Sequence, residues 1–167
     1  MRPEPKDVGT ERELLLGFLE YHRSTLELKC SGLTDAQLRE ASAPPSNLTL
    51  LGLVRHMTDV ERYWFRRRIM GEDVSPVYWD EDAADGDFEN LEGVEVTTVM
   101  RRWRDECARS RAVIDAVDDL DALTHDIARD PRSVSVRWVL IHMVEEYARH
   151  NGHADLIRER IDGATGE

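Results

Sequence analysis

Glu146 and His150 stand four residues apart, one helical turn, so their side chains can reach a single ion. His56, far upstream, falls between Leu53 and Val60 at spacings of three and four, on what reads as the inner stripe of another helix. Two imidazoles and one carboxylate form a three-ligand set that leaves a coordination position open, the pattern of a catalytic zinc site. An open position can activate water for hydrolysis or accept a substrate atom. The same donors also suit non-haem iron, so zinc, nickel, iron and manganese are all admitted.

The face that carries two of these residues reads Val139, Met143, Glu146, His150, His153, Ile157, with steps of four, three, four, three and four. Apolar residues lead into it and follow it, so it points inward. A carboxylate buried there without a partner costs several kcal/mol, so a partner is expected. The bland alternatives stay open at this point. A lone histidine on such a stripe is more often a satisfied core or cleft residue. Glu146 could pair with Arg149, and Glu–His pairs one turn apart also occur on surfaces. His153 is the candidate accessory acid or base; it could instead hold Asp59, Glu61 or a backbone carbonyl. His142, four residues before Glu146, could donate to it, although its direction is offset from the stripe. No HExxH and no Glu-x-x-His occurs, which excludes a zincin helix and a di-iron bundle motif.

Four long helices would position these groups. The first opens on a capping box at Thr10 and Glu13 and turns Leu14, Leu15, Phe18, Leu19, His22, Leu26 and Leu28 inward until Gly32. A short helix boxed by Thr34 and Gln37 follows, then a turn at Pro44-Pro45-Ser46-Asn47. The second long helix spans about 50–70, with Leu50, Leu53, Val54, Met57, Val60, Trp64 and Phe65 inward and Gly71 as its stop. Residues 72–94 read as a long acidic connection with Tyr78, Trp79 and Phe88 as anchors. The third helix runs from Val96 or Thr97 to about Ala116, with Val99, Met100, Trp103, Cys107 and Ile114 inward. After a connection over 118–134, the last starts at Ser133 or Ser135 and ends near Ile161, before Gly163. No segment alternates with period two. The expectation is an all-α four-helix bundle over 1–167, one domain, in up-down-down-up order with a long crossover between the second and third helices.

Composition narrows the partners. The net charge is −12, with 34 acidic against 22 basic residues, and such a chain repels phosphate backbones, so no nucleic acid is expected. The runs Arg66-Arg67-Arg68 and Arg101-Arg102 read as solvated helix faces. Two distant cysteines, Cys30 and Cys107, form neither a disulfide framework nor a Cys-rich metal motif. The opening residues contain no apolar signal segment, and no uninterrupted apolar stretch approaches a membrane span. A cytoplasmic protein without a membrane partner is expected.

The runs Val54-Arg55-His56-Met57-Thr58-Asp59-Val60-Glu61-Arg62-Tyr63-Trp64 and His142-Met143-Val144-Glu145-Glu146-Tyr147-Ala148-Arg149-His150-Asn151-Gly152-His153-Ala154-Asp155 resemble the DinB/YfiT-like superfamily. The closing Arg158–Gly166 segment is similar to an actinobacterial branch of it. The resemblance implies an up-down-down-up bundle, often a homodimer, that holds a divalent metal. Many members use three histidines; here the middle position matches Glu146. That variant is similar to mycothiol-dependent maleylpyruvate isomerase, and carried over it makes His56, Glu146 and His150 the ligands. The implied chemistry is transfer of a low-molecular-weight thiol, mycothiol or bacillithiol, to a small electrophile. The isomerase has a further C-terminal domain that this sequence does not contain, so S-transfer is expected rather than isomerisation. Metal-dependent hydrolysis and metal binding without turnover are the alternatives.

Overall fold

The computed structural model describes residues 2–79, 86–125 and 131–166. Helix α1 is Glu11–Cys30, and its first turn is held by the expected box. The Glu13 amide donates to the Thr10 hydroxyl over 3.3 Å, and the Thr10 amide donates to the Glu13 carboxylate over 2.9 Å. Helix α2, Asp35–Leu38, is boxed in the same way by Thr34 and Gln37. Helix α3, Leu50–Glu61, is capped by Thr49 and continues without a break into a π-helical extension, Arg62–Ile69. Helix α4 is Val96–Asp115. Helix α5, Val136–Asp162, is capped by Ser135, not Ser133, and ends on left-handed Gly163 at φ 76°. The described residues hold no strand, only one isolated bridge between Leu123 and Ser135.

The stretch from 50 to 70 is one rod, as its spacing predicts, but its hydrogen-bond register changes at Arg62. The Met70 amide reaches back five residues to the Phe65 carbonyl over 3.1 Å. π-Helical turns are rare and gather at functional sites. This one carries Trp64 toward α5.

In packing, α1 lies mainly against α5, and α4 lies against α3 and its π-helical extension. A smaller α3–α5 contact closes the bundle. The expected inward residues of α4 are all buried. The inner face of α1 differs from its apolar stripe. Phe18 and Leu28 are 46% and 45% exposed, while Arg23, Thr25 and Lys29 are buried.

Arg23 explains that exchange. Its guanidinium clamps Glu61 through two bonds of 2.7 and 2.6 Å. Tyr147 donates to Glu61 over 2.7 Å, Trp103 donates to the Tyr147 hydroxyl over 3.0 Å, and the Cys107 thiol lies 3.7 Å from Glu61. One polar cluster therefore joins α1, α3, α4 and α5 in the core. Shared partners satisfy its buried charges.

Arg68 corrects the reading of its run as a solvated face. Its side chain is 0% exposed and donates to the carbonyls of His125 and Arg132 and to the Tyr63 hydroxyl. Arg62 and Arg66 both reach Glu106 on α4, at 2.8 and 3.2 Å. Arg101 and Arg102 do face outward.

The connection after α3 is tied down at two points. Asp59 accepts the amides of Val77, Tyr78 and Trp79 over 2.6, 2.8 and 3.0 Å. Arg55 donates to the carbonyls of Gly86 and Glu89 over 2.8 and 3.0 Å. Tyr78 and Phe88 pack on the core from this connection, as the aromatic anchors predict.

Candidate metal centre

The α3–α5 contact brings together His56, Glu146 and His150, each half-buried. Their ligand-capable atoms all lie within 4.8 Å of one another. The His56 and His150 rings meet edge to face with centroids 4.8 Å apart. Donors set tetrahedrally about 2.1 Å from an ion stand about 3.4 Å apart, so small side-chain adjustments would close this set.

Glu146 is the central group. Its two oxygens face imidazoles: Oε2 lies 3.4 Å from His150 Nε2, and Oε1 lies 3.3 Å from His142 Nε2. The hydrogen bond from His150 holds the carboxyl below the usual carboxylate range against its desolvation, and the charges of His142, His150 and His56 add to the effect. Arg149 does not compete for Glu146; it pairs with Glu145. A carboxylate whose ion-pair partners among the described residues are imidazoles, with a third imidazole facing it, is a donor set suited to a divalent cation. The residues present therefore fit the metal that the resemblance implies.

His142 is packed between Trp64 and Trp138, at ring distances of 5.0 and 4.9 Å, and its Nδ1 lies 3.4 Å from Glu145. It thus contacts Glu146 from outside the triad. His142, Glu145 and Glu146 also form a second ligand-capable group, all on one face of α5.

His153 lies beside the triad, with Nδ1 3.4 Å from Nδ1 of His150. Burial lowers its pKa below the usual imidazole value, and the neighbouring His150 charge adds to this. Asp59 and Glu61, the carboxylates named as its alternative partners, are engaged with backbone amides and with Arg23 and Tyr147 instead. His22 is used structurally, its carbonyl accepting from the Asn151 amide at 3.0 Å.

Sequence spacing missed Asp87. Its Oδ2 lies 3.0 Å from His56 Nδ1, which leaves Nε2 of that ring for the centre. Phe88 stacks near the same ring, with centroids 6.0 Å apart. Both sit in the acidic connection, where no helical period relates them to His56. A surface depression of about 430 Å³, lined by Arg66, Glu72, Arg109 and Ala112 among others, contains none of the site residues.

An all-helical bundle that gathers two imidazoles and a carboxylate at one helix junction has the build of a DinB-like protein. The chain belongs to the mycothiol S-transferase family, whose model matches residues 14–163. A crystal structure of a conserved protein from Enterococcus faecalis is similar to it in fold, with a TM-score of 0.64 and 14% identity. That match covers 94% of this chain and all of the other. No curated protein matches the chain significantly.

Proposed function

We propose that this protein is a metal-dependent S-transferase that joins mycothiol, or a similar low-molecular-weight thiol, to a small electrophile. The observation that carries the reading is the His56–Glu146–His150 triad, with donor atoms within 4.8 Å, in a chain of the mycothiol S-transferase family. The three side chains hold the ion, zinc in this reading, with nickel, iron and manganese admitted by the same donors. A divalent ion held there would supply one thing, a lowered pKa for an incoming thiol.

The protein's own residues do the rest. Glu146 balances the charge of the centre and is oriented by His142. His153 is an imidazole whose pKa burial lowers, so it accepts the thiol proton at Nε2 while Nδ1 faces His150. The thiol sulfur forms a bond to the electrophilic carbon, whose leaving group departs with the bonding pair. A thiol substrate and two free buried cysteines, Cys30 and Cys107, suit a reducing cytoplasm.

Conjugation of monochlorobimane, followed by fluorescence with mycothiol, bacillithiol or glutathione, tests the reading. Tag-free protein should give thiol-dependent conjugation that a chelator abolishes. Chelator-sensitive turnover of ester or amide substrates without thiol would replace S-transfer by hydrolysis. Bound metal with no turnover across a broad panel would leave a metal-binding protein.

A further inference from the structure

Asp87, in the long connection, reaches His56 on α3, and two features of α3 hold it there. Arg55 donates to the carbonyls of Gly86 and Glu89, and so brackets Asp87 on both sides. Phe88, the next residue, lies over Gly52, one helical turn before His56. A Cβ at Gly52 would meet the Phe88 ring at 2.4 Å. A glycine inside a helix is destabilising against alanine, and here its missing side chain is the space that Phe88 fills. The Asp87 side chain is 7% exposed, and among the described residues its Oδ1 has no hydrogen-bond partner. Its Oδ2 faces His56 Nδ1.

An ionised carboxylate can only accept, so in this pair His56 Nδ1 carries the hydrogen. A neutral imidazole has one N–H. Placing it on Nδ1 leaves the Nε2 lone pair free, and the fixed ring plane determines where that lone pair points. Carboxylate–histidine pairs of this kind raise ligand basicity and lock orientation around metals.

We infer that Asp87 is the positioning residue for His56, and that residues 86–89 form a strap, fastened by Arg55 and seated on Gly52, that holds this carboxylate in place. The inference rests on the metal-centre reading above for its consequence, but not for the tautomer it assigns. His56 is the one ligand contributed by α3, so the strap sets how the α3 side of the centre meets the α5 side.

Two measurements test it. Imidazole 15N spectra of the metal-free protein report the His56 tautomer, and competition with a chromogenic chelator at one pH gives the zinc Kd. Wild type should show the Nδ1–H form. Asp87→Ala should shift His56 toward the Nε2–H form and raise the zinc Kd by about 10- to 100-fold. Asp87→Asn keeps an acceptor oxygen of nearly the same shape, so it should retain the Nδ1–H form and recover part of the affinity. Gly52→Ala touches no ligand, yet it should raise the Kd and loosen the tautomer by displacing Phe88.

An Asp87→Ala protein with an unchanged tautomer, or with a Kd within about twofold of wild type, overturns the assignment. An asparagine variant as weak as the alanine one overturns positioning through the hydrogen bond. If wild type takes up no zinc, the metal-centre reading fails on its own, and the tautomer spectra still decide whether Asp87 directs the ring.

Discussion

The Tyr147 hydroxyl donates to Glu61 over 2.7 Å, one residue along α5 from Glu146. Adjacent helical residues diverge by about 100°, so α5 presents Tyr147 to a closed core cluster and Glu146 to a half-open junction. The buried cluster and the proposed metal centre thus sit on neighbouring faces of one helix. Glu61, in turn, is the last residue of α3 before the π-helical extension begins.

Removing one member of the buried cluster should be costly. Glu61→Gln removes the buried counter-charge of the Arg23 guanidinium and leaves it the part-exposed Glu20 at 2.6 Å, which should cost up to about 3–5 kcal/mol. Urea denaturation should show this as a lower midpoint with an unchanged slope. Replacing Arg23 and Glu61 together by apolar residues should recover most of the loss, because no isolated charge remains.

Two histidines one turn apart should separate binding from turnover. His150→Ala should lower zinc affinity by more than about 100-fold, beyond the range typical for residues that only support a ligand. His153→Ala should keep its zinc and lose about 100-fold in kcat/KM, the lower end of what a general base contributes. Elemental analysis of tag-free protein and the bimane assay report the two effects separately. Zinc-replete His150→Ala protein would remove it from the ligand set.

The reactive sulfur should come from a bound thiol and not from the chain. Burial pushes the Cys30 thiol up to about 12 and raises Cys107 further, aided by the charge of Glu61. Iodoacetamide at pH 8 should leave both unlabelled in the native state, and mass spectrometry should find both labelled in urea. Rapid native labelling of either would point to a reactive protein thiol.

Acid should unmask the first cap of α1. The Lys6 hydrogen bond, with those of Thr10, holds Glu13 down to about 2, against 4.5 for an ordinary glutamate. A carboxyl depressed in the folded state binds its proton more tightly when unfolded. Its stabilisation is therefore complete above about pH 4.5 and fades as pH falls toward 2. The Tm difference between wild type and Glu13→Gln should be largest near neutrality and shrink across that window. Lys6→Ala should narrow the window from below, because it raises the folded pKa and leaves the unfolded one unchanged.

Much of this architecture is legible in the chain. The boxes at Thr10 and Thr34 and the stops at Gly71 and Gly163 are local, and local chemistry places helix ends well. The steps of three and four that put His56, Glu146 and His150 on facing stripes are equally local. What escaped is what distance decides. Asp87 is related to His56 by a folded-back connection without periodicity. Arg68 reads as surface within an arginine run, because two of its partners are the backbone carbonyls of His125 and Arg132, which leave no trace in side-chain pattern. Phe18 and Leu28 sit on an apolar stripe of α1, but buried positions went to Arg23 and Lys29, which have partners elsewhere in the fold: Glu61 on α3 for Arg23, and Asp155 on α5 with the Gly166 carbonyl for Lys29. The π-helical register at Arg62 is hidden because nothing in the residue spacing over 50–70 marks where the hydrogen bonds lengthen by one residue.

Trp138 is 40% exposed and stacks on His142, whose Nε2 faces the Glu146 carboxylate. Trp64 stands against both rings. Indole emission is sensitive to the charge and hydrogen bonding of a stacked imidazole. The protein thus carries a built-in optical reporter beside the proposed centre, so that metal uptake there should be visible by light without a label.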